Sequence, residues 1–521
     1  MIRIYLLAAL AAGPARAANA RFDVMETSIA KIHESIAAGR LTCRGLVRLY
    51  LDRIEAYDQK GPALNSIITV NPRALEQAED MDKVLRRGGR MKPLHCIPTV
   101  LKDNFDTADM PTTAGSAALA GSTPLQDAAA VARLKENGAL ILAKTNLHEF
   151  ALAGMTLSSV SGQTKNPYDL TRTPGGSSGG TGAALAANLA AVGTGSDTMN
   201  SIRSPSSANS LVGIRPTRGL VSRTGLVPVS FTQDAAGPIA RSVADAVRLL
   251  DAMKGYDPKD PPTAYSIAAI PEGSYTAFLK KGGLPGARLG VLRALFGSQP
   301  VHEEVNRVMD RALATLKKEG AVLVEVGDPA LDTAALLAEM DVQKYEFKRD
   351  MNAYLQTLGP KAPVHSLADI LASGKSLKVS EDFLKTAQGF ENGTDEPDYK
   401  ARRVKIDDLR LRLANLMAEN RLDALVYPHQ KRLAVLATEP SQADRNGILA
   451  SLTGYPAITV PAGFSAAGPD APIGVPVGIE FLGRAWSEPL LIRLAFGFEQ
   501  AARARKPPLS TPALELTKSL R

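Results

Sequence analysis

Two serines and one lysine lie in sequence contexts that suit nucleophilic catalysis. Ser177 lies in the glycine-rich stretch 174–180, Pro-Gly-Gly-Ser-Ser-Gly-Gly; Ser201 follows in a Ser-Ile-Arg stretch, and Lys102 precedes both in a Lys-Asp-Asn stretch. A serine hydroxyl becomes a strong nucleophile when a neighbouring base removes its proton, and the candidate base here is a lysine rather than a histidine. This combination predicts acyl transfer, with amide hydrolysis as the favoured reaction.

The glycine-rich stretch also fits two other kinds of site in part. Residues 175–179 match the G-x-S-x-G motif of α/β-hydrolases, but that motif follows a strand, and residues 166–174 contain two prolines, which is typical of a loop. A phosphate-binding loop would need a lysine after the glycines, and metal hydrolysis would need paired histidine spacings that the six histidines do not show. The sequence therefore predicts no metal and no organic cofactor. His429, after the predicted strand 426–428, is a candidate pocket residue.

Composition limits the class of protein. The 521 residues carry a formal net charge of +8, and 45% of them are hydrophobic. These values are typical of a folded chain that is long enough to bury a large core. The basic residues are scattered rather than concentrated with aromatic residues in one stripe, which disfavours nucleic-acid binding. A small-molecule substrate is the expected partner, and the sequence carries no signal for an oligomeric state.

The N-terminal residues 1–20 predict a secretory signal peptide. Arg3 supplies a basic start, residues 4–12 are an apolar run too short to cross a bilayer, and residues 15–17 match an A-x-A cleavage site. No later segment of the sequence is apolar for long enough to span a membrane. The sequence therefore predicts an exported protein, periplasmic in a Gram-negative host.

The chain has two cysteines, Cys43 and Cys96, which are too few for a disulfide framework. Cys96 lies in a predicted buried strand, and Cys43 precedes a helical pattern. Because free cysteine is among the most buried residue types, we expect two separate buried thiols. A single bridge between them is the alternative if the protein is exported.

Alternating strands and helices predict the α/β class, with a mixed central β-sheet flanked by helices on both faces. Short apolar runs predict strands at 97–101 and 139–143, and an alanine-rich helix is expected over residues 182–191, behind the glycine-rich stretch. Residues 330–440 are more charged and predict a helical peripheral sub-layer. Since repeats and clear linkers are absent from the sequence, we expect a single domain over residues 21–515.

Ordered sequence blocks between residues 27 and 500 resemble the amidase signature family. The blocks lie at 64–68, 97–104, 144–150, 164–169, 174–180, 201–203, 233–238 and 453–457. So many blocks in one order make the resemblance specific. It implies the amidase signature fold and hydrolysis of a carboxamide C–N bond through an acyl-enzyme, without a cofactor.

The resemblance also implies a Ser–Ser–Lys triad. Ser201 would be the nucleophile and Lys102 would be the base. Ser177 would relay the proton between them, and the family holds the residue at this position in a cis peptide. Elementary chemistry agrees, because a lysine at the end of a buried strand is desolvated, which lowers its pKa and favours the neutral amine. The alternative for Lys102 is a structural ion pair with Asp103 or Asp106.

One block departs from the family pattern. The family usually has Gly-Gly before the nucleophile, and this chain has Met199-Asn200. The resemblance assigns the oxyanion hole to backbone N–H groups of Thr198, Met199 and Asn200, which any residue except proline supplies. Methionine tolerates positive φ poorly, so Met199 either has an ordinary φ or reshapes the hole. We expect the site to be active, with a pocket that the Met199 side chain narrows. Met199 and His429 are therefore the two candidate pocket residues.

Two other functions remain open beside the hydrolytic amidase. One is the role of a subunit with this fold in the amidotransferase that serves transfer-RNA. That enzyme needs partner subunits and the cytoplasm, so the predicted signal peptide argues against this role. The other is a binding protein of the same fold that Met199-Asn200 has inactivated. The sequence does not distinguish aryl, fatty, peptide and small aliphatic amides as substrates.

Overall fold

The computed structural model describes residues 22–514. The predicted signal peptide, residues 1–20, lies outside the described residues.

The strands and helices follow one another along the described chain. The strands are β1 (Ile67–Val70), β2 (Ile97–Lys102), β3 (Ala139–Thr145), β4 (Leu157–Ser158), β5 (Gly162–Gln163), β6 (Val192–Asp197), β7 (Val212–Arg215), β8 (Ala235–Ala240), β9 (Arg288–Leu292), β10 (Val322–Val326), β11 (Ala424–Pro428), β12 (Ala457–Phe464) and β13 (Pro476–Leu482). The α-helices are α1 (Ile29–Ala37), α2 (Cys43–Arg53), α3 (Ala74–Arg86), α4 (Ala129–Glu136), α5 (Gly179–Ala186), α6 (Arg203–Ala208), α7 (Val243–Met253), α8 (Glu303–Lys318), α9 (Thr333–Met340), α10 (Gln343–Thr357), α11 (Leu367–Ala372), α12 (Lys378–Gly389), α13 (Pro397–Glu419), α14 (Ile448–Thr453) and α15 (Glu488–Ala502).

Eleven of these strands form one sheet, in the order β1-β3-β2-β6-β8-β7-β12-β13-β11-β9-β10. β2 runs parallel to β3 and β6, and β9 runs parallel to β10 and β11, whereas the strands between β6 and β11 pair antiparallel. The mixed central sheet confirms the predicted fold class.

The strand that ends in Lys102 lies inside the sheet. Every residue of β2 and β3 is buried, as expected for strands covered on both faces, whose sequences are continuous apolar runs. Because β2 and β6 are parallel neighbours, the end of β2 and the segment after β6 emerge at the same edge of the sheet. Open α/β sheets bind ligands outside the carboxyl ends of their strands.

The sequence pattern does not predict β6, whose sequence is Val-Gly-Thr-Gly-Ser-Asp. Its glycines permit close packing, because a Cβ on Gly193 would lie 2.8 Å from Val100 Cγ2, and one on Gly195 would lie 2.9 Å from Ser178 Oγ. Polar and glycine residues give no hydropathy pattern of a strand, although all six residues are buried.

The helix behind the glycine-rich stretch is α5, which begins and ends earlier than predicted. It ends at Ala186, Asn188 has a φ of +56°, and β6 begins at Val192. All of its residues are buried, and a Cβ on Gly180 would lie 2.5 Å from the backbone N of Asn146. The small side chains therefore allow this helix to pack closely, as the sequence predicted.

Residues between β10 and β11 form helices α9 to α13, in agreement with the predicted helical sub-layer. Side chains of α10, α11 and α12 make an apolar cluster that is separate from the main core, and this cluster includes Leu147 and Phe150 from the segment after β3. The helical layer is therefore anchored beside the edge of the sheet where Lys102 lies.

The expectation of two separate thiols is wrong, because Cys43 and Cys96 form a disulfide with a Cα–Cα distance of 5.3 Å. Cys43 is the first residue of α2, and Cys96, with a φ of +62°, directly precedes β2. Folding brings the two together across 53 residues of sequence. The bond attaches α2 to the start of the strand that carries Lys102.

Within residues 22–514, each helix is too short or too polar to cross a membrane.

Candidate functional site

Lys102 is buried at the end of β2 and contacts hydroxyl groups rather than carboxylates. Its Nζ lies 2.7 Å from Ser177 Oγ and 2.7 Å from Ser196 Oγ. Burial lowers the pKa of Lys102 from 10.5 to about 7, although the charges of Asp197 and Asp234 oppose the shift. A neutral amine is therefore accessible near neutral pH.

The alternative ion pairs for Lys102 do not form. Asp103 pairs with Lys144 at 3.1 Å, and Asp106 Oδ1 accepts a hydrogen bond from the Tyr354 hydroxyl at 2.9 Å. The Ser196 hydroxyl oxygen, which contacts the Lys102 amine, also accepts a hydrogen bond from the side-chain amide of Asn104 at 2.9 Å. Ser196 and Asn104 orient the Lys102 amine, and Ser196 lies in the strand that the sequence pattern missed.

Ser177 follows a cis peptide bond between Gly176 and Ser177. Thr156 organises this loop, because its hydroxyl donates to Gly175 O at 2.7 Å and accepts from Gly179 N at 3.1 Å. Thr156 lies outside the sequence blocks that resemble the family, so its role is visible only in the fold. His148 N donates to Ser177 O at 3.1 Å.

Ser201 lies in the loop between β6 and α6, residues 198–202, which we call the β6–α6 loop. The backbone N–H of Ser178 donates to Ser201 O at 3.2 Å, so this loop packs against the cis-peptide segment. Among the hydrogen bonds of residues 22–514, none joins the hydroxyls of Ser177 and Ser201. Catalytic hydrogen bonds are often long in a free enzyme and shorten when the substrate binds.

The backbone N–H groups of Thr198, Met199, Asn200 and Ser201 have no protein acceptor within the described chain. Neither Met199 nor Asn200 is among the residues with positive φ, so the pair that replaces Gly-Gly needs no left-handed backbone. The four amides are therefore available to an oxyanion, which is the requirement for a hole of the kind that the resemblance implied.

Three side chains and one backbone N–H from other segments hold the β6–α6 loop. The carbonyl of Met199 accepts from Arg203 Nη2 at 2.7 Å and from Ser451 Oγ at 2.8 Å. Asn200 Oδ1 accepts from Gly447 N at 3.0 Å, and the Thr198 hydroxyl donates to Asp234 Oδ1 at 2.6 Å. These bonds use side chains and carbonyls, so they fix the loop and leave its amides free.

A buried network of four charges lies behind the loop. Arg203 contacts Asp197 at 3.0 Å and Glu480 at 2.6 Å, and Arg215 contacts Asp197 at 3.0 Å. Burial would raise the pKa of Asp197, but the two guanidinium groups outweigh it and hold that pKa well below its usual range. Burial would likewise raise the pKa of Glu480, and Arg203 and His429 lower it to about 2. Both acids are therefore charged, and the four groups neutralise one another.

His429 belongs to this network and does not line the cleft at Ser201. Its ring Nδ1 lies 2.5 Å from Glu480 Oε2, and the side chain is fully buried. Burial lowers the pKa of His429 although Glu480 opposes the shift. The geometry therefore assigns His429 a structural place behind the loop rather than the pocket position expected from the sequence.

The cleft at Ser201 is narrow, with a volume of about 10 Å³, roughly the space that one water molecule needs. It is lined by Ala151, Leu152, Ala153, Thr198, Met199, Asn200, Ser201, Gln343 and Arg445. Met199 thus borders the cleft, and Gln343, the first residue of α10, brings the helical sub-layer to it. A larger cavity of about 660 Å³ is also bordered by α10, at Glu346 and Arg349, but none of the three candidate catalytic residues lines it.

Among the described residues, one group has the geometry to hold a metal ion: Cys43, His95 and Cys96. It lies at the start of β2, and its two sulfur atoms are bonded to each other.

Known proteins match this chain over nearly its whole length. The model of the family described as Amidase matches residues 45–492. A protein of Arabidopsis thaliana named as a probable amidase is 40% identical, covering 94% of this chain and 93% of its own length. A Geobacter protein named as a subunit of glutamyl-tRNA(Gln) amidotransferase is 34% identical, covering 94% of this chain and all of its own.

A solved structure agrees with these relatives. The peptide amidase of Stenotrophomonas maltophilia is 39% identical and superposes with a TM-score of 0.84, over 93% of this chain and 98% of that one. The chain belongs to the amidase signature family, whose members hydrolyse amide carbon–nitrogen bonds.

Proposed function

We propose that this amidase uses Lys102 as its base, Ser177 as a proton relay and Ser201 as its nucleophile. The observation that carries the proposal is the 2.7 Å contact between the Lys102 amine and the Ser177 hydroxyl, at a lysine whose pKa burial lowers to about 7. A group whose pKa is near the working pH is suited to accept and return a proton.

The reaction balances with these three groups. The neutral amine of Lys102 takes the Ser177 proton while Ser177 Oγ takes the Ser201 proton, and Ser201 Oγ forms a bond to the carbonyl carbon. The carbonyl oxygen becomes an oxyanion, and its collapse breaks the C–N bond as the proton returns through Ser177 to the leaving nitrogen. Water then attacks the acyl-enzyme by the same proton path and releases the acid.

The oxyanion would lie against the free amides of Thr198, Met199 and Asn200. Loss of one such donor costs about 3–4 kcal/mol of transition-state stabilisation in other hydrolases. The ordinary φ of Met199 and Asn200 supports an intact set of donors.

A fluorophosphonate probe, which labels activated serines, tests the nucleophile. We expect labelling of the wild type, no labelling of Ser201→Ala, and labelling of the control Ser178→Ala, whose hydroxyl lies 3.3 Å from Ser196 O. An unlabelled wild type would favour the binding protein of the same fold, and a labelled Ser201→Ala would remove Ser201 from the mechanism.

The amidotransferase proteins among the relatives make that function the second candidate. Such a protein acts with partner subunits, so the purified single chain would release ammonia only slowly from simple amides. Turnover of amides by the chain alone, with kinetics unchanged by transfer-RNA, would favour the hydrolase. The name of the Stenotrophomonas protein makes peptide amides the first substrates to assay.

We also propose that the protein is exported. The support is the signal-like sequence of residues 1–20 together with the Cys43–Cys96 disulfide, since such bonds persist mainly in oxidising compartments. N-terminal sequencing of the protein from a fractionated native host tests this. A mature chain that begins near residue 21 supports export, and an intact N-terminus in the cytoplasmic fraction contradicts it.

A further inference from the structure

The Ser201 cleft contains one charged side chain among its lining residues, Arg445. Arg445 lies between β11 and α14, where its backbone forms an isolated bridge with Gln430. Gly154 leaves room for the guanidinium, since a Cβ there would lie 2.8 Å from Arg445 Cζ. The charge is therefore held by backbone packing at a fixed place beside the nucleophile candidate.

The Arg445 guanidinium has no hydrogen-bond or ion-pair partner within residues 22–514. Among the described residues, three buried arginines have carboxylate partners: Arg203 and Arg215 contact Asp197, and Arg223 contacts Asp260. The buried Arg53 and Arg241 instead donate to backbone carbonyls. Burial lowers the pKa of Arg445 to about 10, although Asp197 opposes the shift, so the side chain remains charged at neutral pH.

No side chain that lines the Ser201 cleft carries a negative charge to balance Arg445. Asp197, whose charge acts on Arg445, is already paired with Arg203 and Arg215. Burial and the charges of Arg445 and Lys102 lower the pKa of nearby His148 to about 4, so that ring is neutral at working pH. The other lining residues of the cleft are alanines, Leu152, Met199 and uncharged polar side chains. An unpaired, partly buried positive charge is costly unless a ligand completes it.

We propose that Arg445 binds a carboxylate on the acyl part of the substrate, so that the preferred substrates are amides whose acyl group is anionic. This inference rests on the proposed role of Ser201. A guanidinium matches a carboxylate with two parallel N–H···O bonds. The acyl part is the one concerned, because it stays bonded to Ser201, and Ser201 and Arg445 line the same cleft.

The experiment compares a matched pair of primary amides: one has a carboxylate on its acyl chain, and in the other a methyl group replaces the carboxylate. Ammonia is the leaving group in both, so the charge can only be on the acyl side. We expect the wild type to prefer the anionic amide in kcat/KM, and Arg445→Gln to lower this preference about 10- to 100-fold, mainly through KM. Arg445→Lys should retain part of it, and Arg90→Gln, a change at an exposed position, should leave it unchanged.

An unchanged preference in Arg445→Gln would overturn the inference, as would a wild type that prefers the neutral amide. A second measurement does not depend on turnover. Glutarate should raise the Tm of the wild type at constant ionic strength and should have a smaller effect on Arg445→Gln. Equal Tm shifts in both proteins, or no shift in the wild type, would also overturn the inference. Glutarate binding without hydrolysis of either amide would instead count against the catalytic roles proposed above.

Discussion

Lys102 illustrates how one residue acquires chemistry from its surroundings. Full burial disfavours the ammonium form, and the neighbours that contact its amine are the hydroxyls of Ser177 and Ser196, which do not restore the charge. The nearest acidic candidates in sequence, Asp103 and Asp106, are engaged elsewhere. The cost of this arrangement falls on stability, and the benefit is an amine that can act as a base.

The pH profile of activity follows from this residue. In the proposed mechanism the base is the neutral amine of Lys102, whose pKa is about 7, so kcat/KM should rise with pH through about 7 and level off above it. Lys102→Ala should lose about 10²- to 10⁴-fold in kcat, the usual contribution of general acid–base catalysis. Steady-state kinetics from pH 5 to 9 measure both effects, and a Lys102→Ala enzyme as active as the wild type would exclude the lysine.

The same burial predicts a pH-dependent stability. Between about 7 and 10.5 the unfolded chain binds a proton at Lys102 that the folded protein has released, so stability rises with pH across this window, and the full penalty is present below it. Lys102→Met should therefore be more stable than the wild type at pH 6, by a few kcal/mol at most, with a difference that shrinks towards pH 10. Thermal unfolding at several pH values tests this; a constant difference would contradict it.

At the scale of elements, the β6–α6 loop is held by contacts from α14 and α6 while its amides stay free. The turn before α14 approaches most closely: a Cβ on Gly447 would lie 2.5 Å from the carbonyl oxygen of Met199, and it would also meet Asn200 Oδ1. The glycine is needed here for space rather than for an unusual φ, since its φ is −70°.

Gly447→Ala should therefore push the loop out of place. A displacement on the order of 1 Å can reduce a rate about 100-fold, so we expect kcat to fall by up to that amount while the protein remains folded. The control is Gly468→Ala, where a Cβ meets no atom within 4 Å. Equal activity of the two variants in steady-state assays would show that the loop position does not limit catalysis.

The disulfide acts on another element, because it attaches α2 to the start of β2. Closing a loop of this length restricts the unfolded chain, and the usual stabilisation is about 2–4 kcal/mol. The double variant Cys43→Ser/Cys96→Ser should unfold at a lower temperature than the oxidised wild type. Reduced wild type should match the variant in calorimetry, and a reductant should not change the Tm of the variant.

At the scale of the whole molecule, the buried charges of Asp197, Arg203, Arg215 and Glu480 join β6, α6, β7 and β13. Two positive and two negative groups compensate one another in the interior. The edge of the sheet that carries Lys102 and the β6–α6 loop therefore depends on strands that are distant in sequence.

Glu480→Gln should leave two buried guanidinium groups with one carboxylate, Asp197, so that one positive charge is not compensated. Removing one member of a buried ion pair costs about 3–5 kcal/mol, so the free energy of unfolding should fall by that order. Denaturant unfolding measures the loss, with Glu319→Gln at an exposed position as the control. A change no larger than that of the control would mean that the network relaxes without cost.

Local patterns predicted much of this fold. The apolar runs of β2 and β3 are properties of neighbouring residues, so they can be recognised without a structure. The glycine and polar residues of β6 have no such pattern, because that strand is specified by its neighbours β2 and β8 and by close contacts at Gly193 and Gly195. The strand that leads to Ser201 is therefore visible only in the tertiary structure.

The sequence by itself determined the family, the mixed α/β class and the three residues Lys102, Ser177 and Ser201 as candidates, because residue types and their order are written in the chain. The tertiary structure decided which groups surround them: Ser196 at the amine, Arg445 in the cleft, His429 behind the loop, and the pairing of Cys43 with Cys96. Contacts of this kind join residues far apart in sequence, and they depend on strand order and packing that no local pattern encodes.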